Sequence, residues 1–443
     1  MKSIFLIGAG RSATDLIEYL LKNSVASNWK ISIGEMDVSI AEAKIQNHPN
    51  AKAVFFDVAN AELRQKYIAE HDLIISMLPA HMHANVAIDC VRLGKHMATA
   101  SYVSDTMRKL DADAKSKGII LLNEAGLDPG IDHASAMKVI DEIKNQGGEL
   151  LSFKSYCGGL VAPESNDNPW SYKFSWNPRN VVLAGQGTAQ FVSEGKYKYI
   201  PYNRLFVTTE KVEVDEYGTF EAYANRDSVS YREIYGIEKI PTILRGTLRY
   251  PGYCKSWNIF VRLGMTDDSY VLNFPDHFTN RDFLEAFLPP GNDDVKMKLK
   301  QLMGNDASDK EIINIEWLGL LDVSPLEMKK GSPAAILQSI LEPKWKLKSG
   351  DKDMIVMQHQ FEYKLMSQHF RLTSSLVVKG ENELHTAMSK TVGLPLAICV
   401  SNILNGKIKG KGIQLPVTKE IYEPLLQELN QFGISFKEKV IKT

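Results

Sequence analysis

The feature that most constrains this 443-residue chain is a glycine turn close to its start. Gly8-Ala9-Gly10-Arg11-Ser12-Ala13 follows a short apolar run, Lys2–Ile7. After it, Ala13, Leu16, Ile17, Leu20 and Leu21 recur at helical spacing. The run reads as a strand and the recurrence as one face of a helix. A GxGxxA turn at such a junction has a mechanical meaning. The first Gly permits the tight turn, the second lets a pyrophosphate approach the backbone, and the small third position lets helix and strand pack. The helix start offers free N–H groups and the positive end of the dipole to an anion. A dinucleotide site on a parallel α/β sheet is expected, built by Gly8, Gly10, Arg11, Ser12 and Ala13.

The following segments support that sheet. Lys30–Glu35, Ala53–Phe56, Asp72–Met77, His96–Ala100 and Ile119–Asn123 read as strands. Helices are expected between them, including His83–Leu93 before Gly94, and Thr106–Lys117 before Gly118. Strands separated by helices imply parallel pairing with right-handed crossovers, hence a doubly wound sheet. Glu35 ends the second strand, where a carboxylate accepts from both adenosine ribose hydroxyls and repels a 2′-phosphate. The residues after it are Met36 and Asp37, with Arg11 the only close basic residue, so NAD is expected, with NADP as the alternative. By position, Asp57 and Val58 would flank the adenine, and Leu78 and Pro79 would line the nicotinamide side.

Beyond this region the pattern changes. A turn-rich segment, Gly126–His133, leads into a helix near Ile131–Lys144. Strand signals with long aromatic loops run from Leu151 to about Met265, then helical and charged signals from Thr279 to Leu341. Met354–Tyr363 and Phe370–Val378 look like paired strands, and Leu384–Leu404 and Lys419–Phe432 look helical. With 52 basic and 53 acidic residues the formal net charge is −1, which argues against a phosphate-tracking, nucleic-acid-binding role. No apolar run approaches the ~20 residues of a bilayer span, so no membrane partner is expected. The opening apolar stretch is too brief for a signal peptide. Cys90, Cys157, Cys254 and Cys399 are scattered without CxxC spacing, which suits a reducing cytoplasm.

Several stretches are unusually polar and aromatic for loops: Thr99-Ala-Ser-Tyr102, NEAGLDPGIDH (123–133), SYCGGLVAPE (155–164) and YKFSWNPR (172–179). NRDS with YREIYGI (225–237), RGTLRYPGY (245–253), AMSKTVGLPLAI (387–398) and NGKIKGKGIQLP (405–416) join them. Together they resemble the glutamate-forming saccharopine dehydrogenases, also called saccharopine reductases. The resemblance runs from Lys2 to about Gly433. It implies a variant Rossmann domain (1–125 with 390–443) and an α/β substrate-binding and dimerisation domain (126–275 with 350–389). It also implies a helical insertion (276–349) and a homodimer. The implied reaction takes a hydride from the carbon that was lysine's ε-carbon in saccharopine. Water then adds to the imine, and glutamate and α-aminoadipate semialdehyde separate.

A substrate with three carboxylates needs fixed cations, and the planar fork of Arg suits them. Within the motifs Arg226 and Arg249 are assigned to carboxylates, with Arg245 and Arg232 as lesser candidates. Proton transfers to and from the amine and the attacking water require a base or a relay. Asp128, Cys157 and Tyr102 are the candidates, and Gly158 after Cys157 would let a ligand approach the backbone. Ser101, Trp176, Thr247 and Leu248 complete the expected substrate contacts. Thr99, Ser101, Leu127 and Asp128 complete those to the cofactor. His133 reads as structural. No metal is expected at His81-Met82-His83, which has no evident carboxylate or cysteine partner nearby. Other readings are a dehydrogenase of another carboxyalkyl-amine, such as carboxynorspermidine or an opine, and a non-catalytic dinucleotide-binding regulator.

Overall fold

The computed structural model describes residues 1–304 and 308–443. The expected helical block 276–349 runs across the three residues between, which lie outside the described set. The chain forms two compact units, one of residues 1–148 with 376–437, the other of 149–375 with 438–443.

In the first unit, β1 (Lys2–Ile7), β2 (Trp29–Glu35), β3 (Ala51–Phe55), β4 (Leu73–Ser76), β5 (His96–Thr99) and β6 (Ile120–Leu122) form one sheet. The order is Gly412–Gln414, β6, β5, β4, β1, β2, β3, with every pairing parallel. The doubly wound expectation therefore holds. The helices α1 (Thr14–Ser24), α2 (Val38–Ile45), α3 (Ala61–Glu70) and α4 (His83–Leu93) alternate with the strands. The expected helix 106–117 is two short ones, α5 (Asp105–Lys109) and α6 (Asp111–Ser116), divided at Leu110. The next helix, α7, is Ile131–Asn145. Phe5, Ile7, Ile74, Val86, Cys90 and Met97 share one buried cluster under this layer. The edge strand Gly412–Gln414 had no signal long enough to read in the sequence.

The helix Ala387–Leu404 corrects one expectation. It is long and apolar enough, by length and composition, to cross a membrane. Most of it is buried inside this unit, where it packs on α1. Gly393 makes that approach possible, since a Cβ there would lie 2.8 Å from the Leu16 backbone nitrogen.

The second unit is built on a mixed sheet. Its strands are β7 (Glu149–Val161), β8 (Ala189–Ser193), β9 (Lys196–Ile200), β10 (Glu210–Val214), β11 (Gly218–Ala224) and β12 (Thr242–Arg249). A minor ribbon joins β13 (Leu272–Asn273) to β14 (Lys330–Gly331), and β15 (Asp353–Leu365) and β16 (Gln368–Lys379) return to the main sheet. The main order is β10, β11, β12, β7, β15, β16, Lys437–Lys442, with β8 paired to β12 off this path and β9 paired to β8. β7 runs parallel to β12 and antiparallel to β15. Helices at Asn280–Glu285, Val295–Met303, Asp309–Trp317 and Pro333–Trp345 occupy the expected helical stretch. A helix at Tyr253–Leu263, inside the stretch expected as strand and loop, was missed.

Candidate active site

Because the strands of the first unit are parallel, the segments that follow β1, β4, β5 and β6 all leave one edge of the sheet. They are Gly8–Ala13, Met77–Pro79, Ala100–Val103 and Asn123–Gly130. Ligands of such sheets bind beyond this carboxyl edge.

The glycine turn fits a dinucleotide. Gly8 has φ +96°, and a Cβ at the exposed Gly10 would point into open space. Ala13 is buried where the turn meets the helix. No capping side chain is contributed from within the turn. One first-turn amide is satisfied from elsewhere, since Asp15 N–H donates to Ser389 Oγ at 3.2 Å. Ser389 belongs to the AMSKTVGLPLAI motif but was not singled out as a site residue. Glu35 does stand beside the turn. Its Oε2 accepts from Ala9 N–H at 2.8 Å and its Oε1 from Met36 N–H at 3.0 Å. The sequence reading lacked a cation that arrives from α2. Lys44 Nζ donates to the Gly10 carbonyl at 2.7 Å and to Thr14 Oγ1 at 3.0 Å. Burial pushes the Lys44 amine down, while Asp15, Glu35 and Glu18 push it back by charge. Arg11 and Ser12 lie at the turn itself, Arg11 exposed. Asp57 Oδ1 accepts from Ala59 N–H at 2.9 Å, and the Val58 carbonyl accepts from Arg64 Nη1 at 2.6 Å. Leu78 packs on the core cluster and Pro79 is exposed.

At the neighbouring strand ends, Thr99 is buried and its Oγ1 accepts from Ser101 N–H at 3.2 Å. Ser101 Oγ is hydrogen-bonded to His83 Nε2 at 2.7 Å, and His83 Nδ1 to Ser76 Oγ at 2.8 Å. Both ring nitrogens of His83 are thus engaged within the protein. Burial, with His81 adding by charge, lowers its pKa to about 4, so it is neutral at pH 7. Tyr102 is half exposed at 51%, Leu127 is buried, and Asp128 is half-buried just before Pro129.

In the second unit, register brings several candidates onto one face. Cys157 on β7 stands opposite Thr247 on β12, and Thr247 opposite Tyr223 on β11. Residues two apart on a strand share a face, so Arg245 and Arg249 join Thr247. Thr247 Oγ1 donates to Asn225 Oδ1 at 2.7 Å. Cys157 is buried at 7% exposure. At Gly158 a Cβ would lie 2.7 Å from the Leu248 carbonyl oxygen. Gly158 lets β7 and β12 approach, and the Leu248 side chain is itself fully buried.

Arg249 is 3% exposed and is ringed by tyrosines. Its Cζ lies 5.3, 5.7 and 5.2 Å from the rings of Tyr172, Tyr223 and Tyr253. Nη1 donates to the Leu248 carbonyl at 2.9 Å and Nη2 to Tyr223 Oη at 3.3 Å, while Nε has no hydrogen-bond partner among the described residues. Burial pushes all three phenols up, so none supplies negative charge. Glu221, opposite Arg249 in register, accepts instead from the Gly252 and Cys254 amides. Among the described residues no carboxylate pairs with Arg249. Tyr253 comes from the missed helix, and Trp176 is half-buried just beyond the Tyr172–Phe174 loop. Arg226 is exposed and makes no ion pair among the described residues. Arg245 is buried, with its Cζ 4.0 Å from the Tyr231 ring centre. Arg232 is hydrogen-bonded to the Glu238 carbonyl and to Tyr197.

Two family models match the chain end to end. Residues 4–122 match the saccharopine dehydrogenase NADP binding domain, and residues 126–434 the saccharopine dehydrogenase C-terminal domain. The chain belongs to the saccharopine dehydrogenase family. It is 35% identical to a saccharopine dehydrogenase [NADP(+), L-glutamate-forming] of Schizosaccharomyces pombe, over 100% of this chain and 99% of that protein. It is 36% identical to the mitochondrial alpha-aminoadipic semialdehyde synthase of Mus musculus, over 98% of this chain but 47% of that protein. The structure of apo saccharopine dehydrogenase (L-Glu forming) from Saccharomyces cerevisiae superposes with a TM-score of 0.89 at 33% identity, covering 100% of both chains. A homospermidine synthase from Legionella pneumophila, at 9% identity and a TM-score of 0.56, shares the fold alone. In saccharopine dehydrogenase terms, the parallel sheet of the first unit is a nicotinamide dinucleotide-binding domain. The site arginines and Cys157 lie within the match to the C-terminal domain.

Proposed function

We propose that this chain is a glutamate-forming saccharopine dehydrogenase that uses NADP. It interconverts saccharopine, water and the oxidised cofactor with glutamate, α-aminoadipate semialdehyde and the reduced cofactor. The observation that carries the substrate reading is Arg249. A buried guanidinium with no anionic partner is costly unless a ligand supplies the charge, and a carboxylate fits its planar fork. Arg226 would bind a second carboxylate of the same substrate. The nicotinamide supplies the hydride acceptor or donor. The chain's own residues bind and orient the amine and handle protons. Asp128 or Tyr102 would take the proton that frees the amine lone pair, and Cys157 would face the same chemistry.

The sequence reading of Glu35 leaned to NAD. NADP is preferred here because the matched domain and the fungal relatives carry that name. Lys44 and Arg11 place two cations at the turn, where a 2′-phosphate gains from them. A homodimer is proposed on the family resemblance, and a cytoplasmic location on the four scattered, unbridged cysteines.

The test is reduction of NADP and of NAD by the purified protein with saccharopine, followed by nicotinamide absorbance. Saccharopine-dependent reduction that is faster with NADP is expected. No turnover with either cofactor would sink the proposal, and a preference for NAD would restore the Glu35 reading.

A further inference from the structure

Glu124 is a buried acid, 2% exposed, held at φ +56° although it carries a side chain. Such a conformation persists only where the surroundings over-determine it. Here they do. The Glu124 N–H donates to the Ser101 carbonyl at 3.0 Å, and Glu124 Oε1 accepts from Val103 N–H at 3.0 Å. These two bonds grip the chain on either side of Tyr102. Glu124 Oε2 accepts from Nε2 of the fully buried His133 at 2.8 Å. Beside it, Asp132 Oδ2 lies 3.5 Å from His133 Nδ1, and Asp132 Oδ1 accepts from Gly130 N–H at 2.6 Å. The Gly126–Gly130 loop is closed from the same helix end. Ile131 N–H donates to the Gly126 carbonyl at 2.8 Å and Asp132 N–H to the Leu127 carbonyl at 3.0 Å. One buried network therefore links the segment that bears Tyr102 to the loop that bears Asp128.

We propose that Glu124 and His133 are positioning residues for the reaction, setting Tyr102 and Asp128 relative to each other. This rests on the proposed function. Neither residue needs to touch substrate. Misplacing a reacting group by about 1 Å costs on the order of a hundredfold in rate, which gives such a strut its leverage.

Three variants of the full-length protein test this. His133→Leu keeps bulk but removes the donor. His133→Gln offers an amide N–H near the position of Nε2. Glu124→Asp keeps the charge on an arm too short to hold both Val103 and His133. Saccharopine turnover and dinucleotide affinity are measured for each. His133→Leu and Glu124→Asp are expected to lose at least about tenfold in kcat with dinucleotide Kd within about twofold, a loss confined to the reacting state. His133→Gln is expected to stay within about threefold of wild type in kcat. Wild-type kcat in either damaging variant overturns the proposal, as does a His133→Gln protein as impaired as His133→Leu. If neither damaging variant folds, the network is a folding element and the positioning role is withdrawn. If the wild-type protein does not turn over saccharopine, the function reading fails by itself. Amide exchange at Val103 and Gly130 then decides the strut, since faster exchange in His133→Leu is expected and unchanged exchange overturns it.

Discussion

Arg249 is a cation that the fold buries at 3% exposure within a ring of tyrosines, with no carboxylate against it among the described residues. Its motif, RGTLRYPGY, marked it as a carboxylate ligand. Its cage showed only in part, because Tyr253 closes that same motif while Tyr172 and Tyr223 come from distant segments joined to it only by folding. The cage makes a prediction with two signs. Arg249→Met removes a buried charge that the protein leaves unpaired, so ligand-free thermal stability should not fall. The same change should raise the KM for saccharopine by roughly thirtyfold or more, matching the about 2–5 kcal/mol lost when one partner of a buried charge pair is removed. Melting curves and initial rates check both halves, and a normal KM would take Arg249 out of the substrate site.

His83 was invisible for the opposite reason. It sat in a metal-like HMH string, and nothing in the string announced two serine partners. Its depressed pKa of about 4 has a definite consequence. The folded protein holds His83 neutral while the unfolded chain titrates near 6.5, so unfolding takes up a proton at mildly acid pH. Stability should be fully present above about pH 6.5 and decline as pH falls towards 4, by up to about 3 kcal/mol from this group. Urea titrations of wild type and His83→Gln at pH 7 and pH 4.5 measure it. An equal acid loss in both proteins would contradict it.

Among the elements, the strands and helices of the first unit were legible because period-2 and period-3.6 patterns alternate there with clear stops. The helix Tyr253–Leu263 has apolar residues at helical spacing, Tyr253, Trp257, Phe260 and Val261, yet no local start signal. Its Gly252 start has no capping side chain, and the amides at its entrance are accepted by Glu221, distant in sequence. A cap supplied by another strand leaves no mark beside the helix it serves. Gly393 shows the same dependence on a distant partner. Within AMSKTVGLPLAI nothing beside it names its partner, and it is the point where that helix meets α1. Gly393→Ala should press on the Leu16 backbone and cost about 1–3 kcal/mol. It should also weaken dinucleotide binding, because α1 carries the glycine turn. Chemical denaturation and cofactor titration test the two effects, and an unchanged dinucleotide Kd would confine Gly393 to stability.

On the scale of the whole molecule, the first unit is finished by a returning segment, residues 376–437. Gly412–Gln414 pairs with β6, and Ala387–Leu404 covers α1. That return was expected from family resemblance alone. A three-residue strand is too short to carry a pattern, and an all-round apolar helix has no stripe to say which layer it covers. The physical consequence is that residues 1–148 cannot bury their own core. Without 376–437 the apolar face of α1 opens to water, the Asp15 amide loses Ser389, and β6 becomes an unpaired edge. The fragment 1–148 should therefore show no cooperative unfolding transition and no dinucleotide binding. Joining it to residues 376–437 through a long Gly/Ser linker should restore both, since every strand of the parallel sheet is then present. Calorimetry and cofactor titration on the two proteins decide the matter. Cooperative melting with wild-type dinucleotide affinity in 1–148 alone would show that the returning segment only decorates a domain already complete.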